Sequence, residues 1–434
     1  MRAQRAQPHT RWTRHTSHLA CPASCPVSRK YQDSNNNCVL SFVMGARRGR
    51  AVRDHGACSS SKGLRIPYHN KADGFMAALV LTLNQVKFCE LHGCQPHVQW
   101  GAFPACKYAG VRFPGRTPFF DKERGGNAFE YFFQPLCHGH PPAQEVSPML
   151  SCEQREEVHR LLPWAVRTYY YGATENARPA HNDTYDVAWY ASQRAEGARL
   201  VASYLRLQPY IAEKMAALSA MLIGDGNGAT MAASMPASVP ASSPHALRGT
   251  RPRRQLRTRS ARGVRQRGPV LGVHLRGTDK GKYLATAGSG RAVRPAEYAP
   301  YVRAFLDAHG SNASVFVATD SPSYLAEVLA SWPAGRIRHR SDVLRHEGNV
   351  AFAGAAAVRH TASANYRKGE EVLLDALLLS RCDYLLHSAS GVAEFAIYWR
   401  PMLHKRSVHL QYAHGRQRPW WMPQHDLGHS DTAT

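Results

Sequence analysis

This 434-residue chain lacks several common signatures. No apolar run approaches the ~20 residues a helix needs to span a bilayer. The longest, Phe75 to Leu83, is already broken by Thr82, so no transmembrane segment is expected. No C-x-x-C pair occurs, which argues against a zinc ribbon or a thioredoxin-type site. GxxxxGK[ST], HExxH and GxSxG are all missing, and with them the chemistry of those motifs. No two aspartates stand two residues apart, so there is no D-x-D metal clamp. The 23 histidines are scattered, and Cys137-His138-Gly139-His140 reads as local decoration, so no metal site is expected. Gly224-Asp225-Gly226-Asn227-Gly228-Ala229 looks like part of a dinucleotide loop, but low-complexity sequence follows it where a helix should.

Acid is also scarce: 31 Asp and Glu against 55 Lys and Arg leave a formal charge of +24. Such a balance suggests a polyanionic partner. Its distribution argues otherwise. Residues 1–50 carry nine basic residues and one acid, residues 244–268 carry nine arginines and no acid, and the remainder holds only +7. Neither basic segment interleaves aromatics to stack bases, so both read as solvated stretches and no specific nucleic-acid partner is expected.

Of ten cysteines, nine precede residue 153, so disulfides would staple the N-terminal half. With the sequons Asn182-Asp183-Thr184 and Asn312-Ala313-Ser314 they tilt toward a secretory compartment, although no signal peptide or anchor stands in the sequence.

Hydrophobic periodicity divides the chain into a basic tail (1–60), a first α/β domain (61–223), an Ala/Ser/Pro- and Arg-rich insertion (224–268), a second α/β domain (269–424) and a short tail (425–434). In the first domain, a turn through Asn70, Asp73 and Gly74 precedes a helix from Phe75 to Leu91, stopped at Gly93. Val98 to Trp100 is a candidate strand, and Tyr185 to Ile223 reads as helix split by Pro209. In the second, strands are expected at 270–275, 314–319 and 384–386. Helices are expected at 298–309, from Ser321-Pro322 onward, at 370–380 and at 391–399. This alternation is that of a doubly wound parallel sheet, whose ligands sit beyond the strand carboxyl ends.

Three such ends carry polar clusters. Arg276, closing the first strand, offers a fork of donors to phosphate oxygens, with Lys280 nearby as a point charge. Asp320 and Ser321 stand where the second strand meets a helix, and either cap that helix or face an anion. Ser388 and Ser390 flank the third strand end, where they either cradle a phosphate or form a tight turn. Asp375, set among Val372, Leu378 and Leu379, needs donors, either a buried arginine or the edge of a bound base.

In this order the clusters resemble the α-1,6-/protein O-fucosyltransferase superfamily, which includes nodulation fucosyltransferases. Val273-His274-Leu275-Arg276-Gly277-Thr278-Asp279-Lys280 looks like its H-x-R-x-T-D-K motif. Val317 to Ser323 looks like the second motif, and Val372 to Asp375 through Ser390 the third. Gly126 to Phe133 and the Asn70 to Gly74 turn resemble its N-terminal half more loosely.

The resemblance implies a GT-B architecture, two Rossmann-like domains with the donor in the C-terminal one. It implies GDP-fucose as donor substrate, inversion at the anomeric carbon, no cofactor or metal, a glycan or protein acceptor and a Golgi or secretory location. Arg276 would hold the β-phosphate and stabilise the leaving group, with Asp279 as the second catalytic candidate. His274 and Asp375 would read the guanine; Lys280, Asp320, Ser388 and Ser390 would complete the donor site; Asn70, Asp73 and Gly74 would lie on the acceptor side. Two positions depart from the pattern. Gly277 stands where α-1,6 members carry a second arginine, and residues 281–290 contain no acid, which leaves Asp279 and Asp73 as base candidates. Alternatives are a transferase using another nucleotide sugar, or a polyanion-binding protein on a non-catalytic GT-B scaffold.

Overall fold

A computed structural model describes residues 62–67, 74–101, 106–108, 111–113, 119–137, 144–145, 187–224, 267–277, 293–346, 362–388 and 390–410. By contacts the chain divides into Met1–Asp54 and His55–Thr434, and all described residues lie in the second unit. In chain order the elements are β1 (Lys62–Pro67), α1 (Phe75–His92), β2 (Gln95–Gln99), β3 (Cys106–Tyr108), β4 (Val111–Phe113), β5 (Gln144–Glu145), α2 (Val187–Tyr204) and α3 (Pro209–Leu222). There follow β6 (Val270–Leu275), α4 (Pro295–His309), β7 (Ser314–Thr319), α5 (Pro322–Ser331), β8 (Ile337–His339), α6 (Ala362–Arg381), β9 (Tyr384–His387), α7 (Gly391–Trp399) and β10 (Ser407–His409).

Two parallel sheets organise these elements: β2-β1-β5, and the larger β10-β9-β6-β7-β8. The expected mixed α/β class with parallel sheets is therefore present. β6 and β7 occupy the expected residues because each is a continuous apolar run, buried at every position. Leu271, Val273, Leu275, Val315 and Val317 project to one face and pack with Tyr298, Val302 and Phe305 of α4 and Val328 of α5. Phe316 and Ala318 project to the other, into a second cluster with α6, α7 and the residues of β1 and α1. This second core is continuous from the small sheet to the large one.

Several boundaries differ from expectation, each for a physical reason. β2 runs over 95–99, not 98–100; Pro96 is tolerated because β2 is an edge strand, where its missing N–H costs no ladder bond. Helix α6 begins at Ala362, well before Glu370, despite Gly369 inside it. A Cβ at Gly369 would lie 2.7 Å from Phe132 Cζ, so close aromatic packing demands glycine there. β8 and β10 are three-residue strands without a readable period. Arg267, near the end of the expected 224–268 insertion, pairs with Asp383 (Nη1–Oδ2, 2.7 Å).

Gly93 stops α1 in the left-handed region (φ 64°), and Cys89 bonds Cys94 across that turn in a disulfide. Cys137 is also disulfide-bonded, whereas Cys382 is a buried thiol whose Sγ donates to the Leu378 carbonyl (3.5 Å).

Helices α2 and α7 are joined by a buried, bidentate ion pair, Arg194 Nε and Nη2 to Glu394 Oε2 and Oε1 at 3.0 and 2.7 Å. Arg194 Nη1 also lies 3.0 Å from His404 Nδ1. Removing one partner leaves a buried charge uncompensated. Glu394→Leu should therefore cost about 3–5 kcal/mol in urea denaturation, with much of the loss recovered in Arg194→Met/Glu394→Leu; an unchanged midpoint for the single variant would contradict this.

Candidate active site

The carboxyl ends of β6, β7, β8 and β9 line one edge of the large sheet. Arg276 follows β6 directly. Its Nε lies 3.5 Å from Asp320 Oδ2, and its side chain keeps 20% of its accessible surface. Asp320 also accepts a hydrogen bond from the Gly277 N–H at Oδ1 (2.8 Å). The helix cap is Ser321, whose Oγ accepts from Tyr324 N (3.2 Å). Of the two readings of this cluster, capping thus falls to Ser321, while Asp320 turns back to fix the end of β6. Gly277 is required here: a Cβ would lie 2.6 Å from Ser321 Cβ. A larger side chain at 277 must displace the start of α5.

Asp375 meets an arginine, one of the two partners its apolar setting called for. Arg340, just past β8 and only 2% exposed, donates from Nη1 to Asp375 Oδ1 (3.0 Å) and to the Glu371 carbonyl (3.1 Å). Its Nε and Nη2 grip Asp342 at 3.1 and 2.9 Å. Burial pushes the Asp375 carboxyl up to about 6, against the pull of Arg340. The loop after Arg340 is pinned throughout. Leu344 N donates to Glu371 Oε2 (2.9 Å), Arg345 Nη2 to the Arg340 carbonyl (2.6 Å), and His346 N to the Asp320 carbonyl (3.0 Å).

His274 lies in register with His387, and His387 with His409, so three buried histidines form a row across β6, β9 and β10. The His387 and His409 rings are 4.8 Å apart. Sequence reading took the histidines as scattered. The row arises from strand register, which a linear sequence does not display. The hydroxyl of Tyr298 donates to the His274 carbonyl (3.3 Å).

At the β9 end, Ser390 caps α7 by accepting from Val392 N (3.2 Å), and His387 Nδ1 lies 3.1 Å from the Ser388 carbonyl. Gly74 begins α1 and shares its neighbourhood: a Cβ at Gly391 would sit 3.2 Å from Met76 Cβ, so the starts of α1 and α7 touch. Gly74, Ser388 and Ser390 are thereby brought toward one edge, while Asn70, Asp73, Asp279 and Lys280 lie outside the described residues. The Gly126 to Phe133 segment closes the end of β2. Asn127 Oδ1 accepts from Trp100 N (2.8 Å), and its Nδ2 donates to the Val98 carbonyl (2.8 Å). The elements missed in sequence are Arg340, Asp342 and Arg345. The apolar setting of Asp375 signals that donors are needed, an arginine or the edge of a bound base, without saying which.

Among the described residues there is no group of three or more His, Cys, Asp or Glu placed to hold a metal, and no helix long and apolar enough to cross a membrane.

Among solved structures, the chain is similar to NodZ alpha-1,6-fucosyltransferase co-crystallized with GDP, at 15% identity and a TM-score of 0.38, over 78% of this chain and 91% of that one. It is similar to the same enzyme soaked with GDP-fucose at 15% identity and TM-score 0.36, over 78% and 92%. For fucosyltransferase NodZ from Bradyrhizobium the values are 15%, 0.37, 78% and 92%. No family model matches the chain, and no curated protein sequence does.

The buried histidine row sets an acid limit. Burial, with the Arg194 charge nearby, holds His387 down to about 3. The unfolded chain takes up this proton near pH 6.5 and the native one does not, so His387 lowers stability as pH falls from about 6.5 toward 3. Asp375 acts oppositely, holding its proton in the native state up to about 6. The comparison is therefore wild type against His387→Gln. Below pH 6 the wild type should lose stability relative to the variant by up to about 1.4 kcal/mol per pH unit. Parallel pH profiles would contradict a buried neutral His387.

Proposed function

We propose that this protein is an inverting fucosyltransferase that moves fucose from GDP-fucose to a hydroxyl of a glycan or protein. One observation carries this reading: Arg276 of the H-x-R-x-T-D-K sequence stands at the carboxyl end of β6, held beside Asp320 at the start of α5. Parallel α/β sheets bind nucleotides at such ends. Two supporting features are the Asp375 carboxylate, whose Oδ1 takes Arg340, and His274, two residues before Arg276 on β6.

The chemistry follows from charge. An acceptor hydroxyl, losing its proton to a base, attacks the anomeric carbon as the bond to the diphosphate oxygen breaks from the opposite side. Negative charge grows on that oxygen as it leaves. A planar guanidinium held in place offsets this charge with little reorganisation. Without a D-x-D clamp in the sequence, Arg276 carries that task, with Lys280, four residues on in the sequence, as a second charge. Asp320 orients Arg276, while His274 and Asp375 accept from the guanine edge. The base is Asp279 or Asp73.

In this arrangement the donor occupies the half of the chain from 269 onward and the acceptor approaches from the side of Gly74. Arg276→Ala should abolish both GDP-fucose hydrolysis and transfer, by at least about a hundredfold, since the lost interaction forms with the departing charge. Its thermal midpoint should stay close to wild type, because Arg276 is partly exposed. Near-wild-type turnover in this variant would overturn the assignment.

A further inference from the structure

Arg340 does more than neutralise a buried carboxylate. It is an arginine 2% exposed, just past the short strand β8, and its donors point in two directions. Inward, Nη1 holds Asp375 Oδ1 and the Glu371 carbonyl on α6. Outward, Nε and Nη2 hold Asp342, which is half exposed, and the Arg340 carbonyl receives Arg345 Nη2. These contacts fold residues 340–346 into a tight loop, which Leu344 N fastens to Glu371 and His346 N to the Asp320 carbonyl. Asp320, from its other end, holds Gly277 N and faces Arg276. Arg367 braces the same assembly through Glu371 Oε1 (2.6 Å).

A path of hydrogen bonds and ion pairs, joined by the backbone of residues 340–346, therefore runs from Asp375 through Arg340 and its loop to Asp320, Gly277 and Arg276. A guanidinium suits such a junction, since its rigid planar fork fixes the relative direction of two carboxylates and one carbonyl; an ammonium supplies charge without that geometry. We infer that Arg340 is a positioning residue that couples the base end of the strand-edge site to its phosphate end. This rests on the nucleotide-sugar reading of the site; the network itself does not. Arg340 touches neither end of the ligand and acts through Asp375 on one side and Asp320 on the other.

The test uses the full chain and two readouts, amide hydrogen exchange in the ligand-free protein and calorimetric binding of GDP and ADP. In Arg340→Met, exchange at His346 and at Gly277 should both rise by about tenfold, while Val273 and Val317 inside β6 and β7 stay protected. GDP should bind about tenfold more weakly, with its advantage over ADP reduced. Arg340→Lys keeps the charge and loses the fork; it should show the same pattern to a lesser degree and covers the case in which Arg340→Met does not fold. Asp342→Asn, which loosens only the loop side, should speed exchange at His346 and Gly277 and weaken GDP while preserving the preference over ADP. Faster exchange at His346 with Gly277 unchanged would overturn the coupling. So would uniform loss of protection through β6 and β7, which would mark Arg340 as merely structural. If the wild type binds no GDP, the nucleotide-sugar reading fails, and the exchange data still decide the coupling.

Discussion

The carboxylate of Asp320 is the constraint on which the strand edge depends. A parallel sheet ends in polar backbone that must be satisfied, and β6 ends in an arginine followed by a glycine. Asp320 takes the Gly277 N–H on one oxygen and faces Arg276 with the other, while its carbonyl takes His346 N. One residue thereby fixes the direction in which Arg276 leaves the sheet and the path of the loop after β8. Gly277 completes the arrangement by letting the chain pass within contact of Ser321.

Behind this edge, buried charges are paired. Arg340 answers Asp375, Arg194 answers Glu394, and Arg367 answers Glu371. Such pairs contribute little net stability compared with apolar packing, but they are costly to break singly, so they specify one arrangement of helices over the sheet.

Much of the large sheet was legible in sequence. β6 and β7 are unbroken apolar runs, and Ser321-Pro322 marks a helix start without ambiguity. The apolar setting of Asp375 announces a need for hydrogen-bond donors, from an arginine or from a bound base. What sequence could not show was set by tertiary register: the identity of Arg340 just past a three-residue strand, the histidine row across β6, β9 and β10, and the closeness of the α1 and α7 starts. The early start of α6 was hidden for a related reason, because Gly369 lowers helical propensity, while its missing Cβ leaves room for Phe132 and Phe75.

The central claim is that the edge built around Asp320 and Arg276 receives a guanosine diphosphate sugar. Calorimetric titration of the wild-type full chain with GDP, UDP and ADP tests it most directly. The account predicts saturable binding of GDP at least about tenfold tighter than of UDP or ADP, a difference near 1.4 kcal/mol. Equal or tighter binding of UDP would contradict the guanine roles of His274 and Asp375, and no binding of any of the three would contradict the account as a whole.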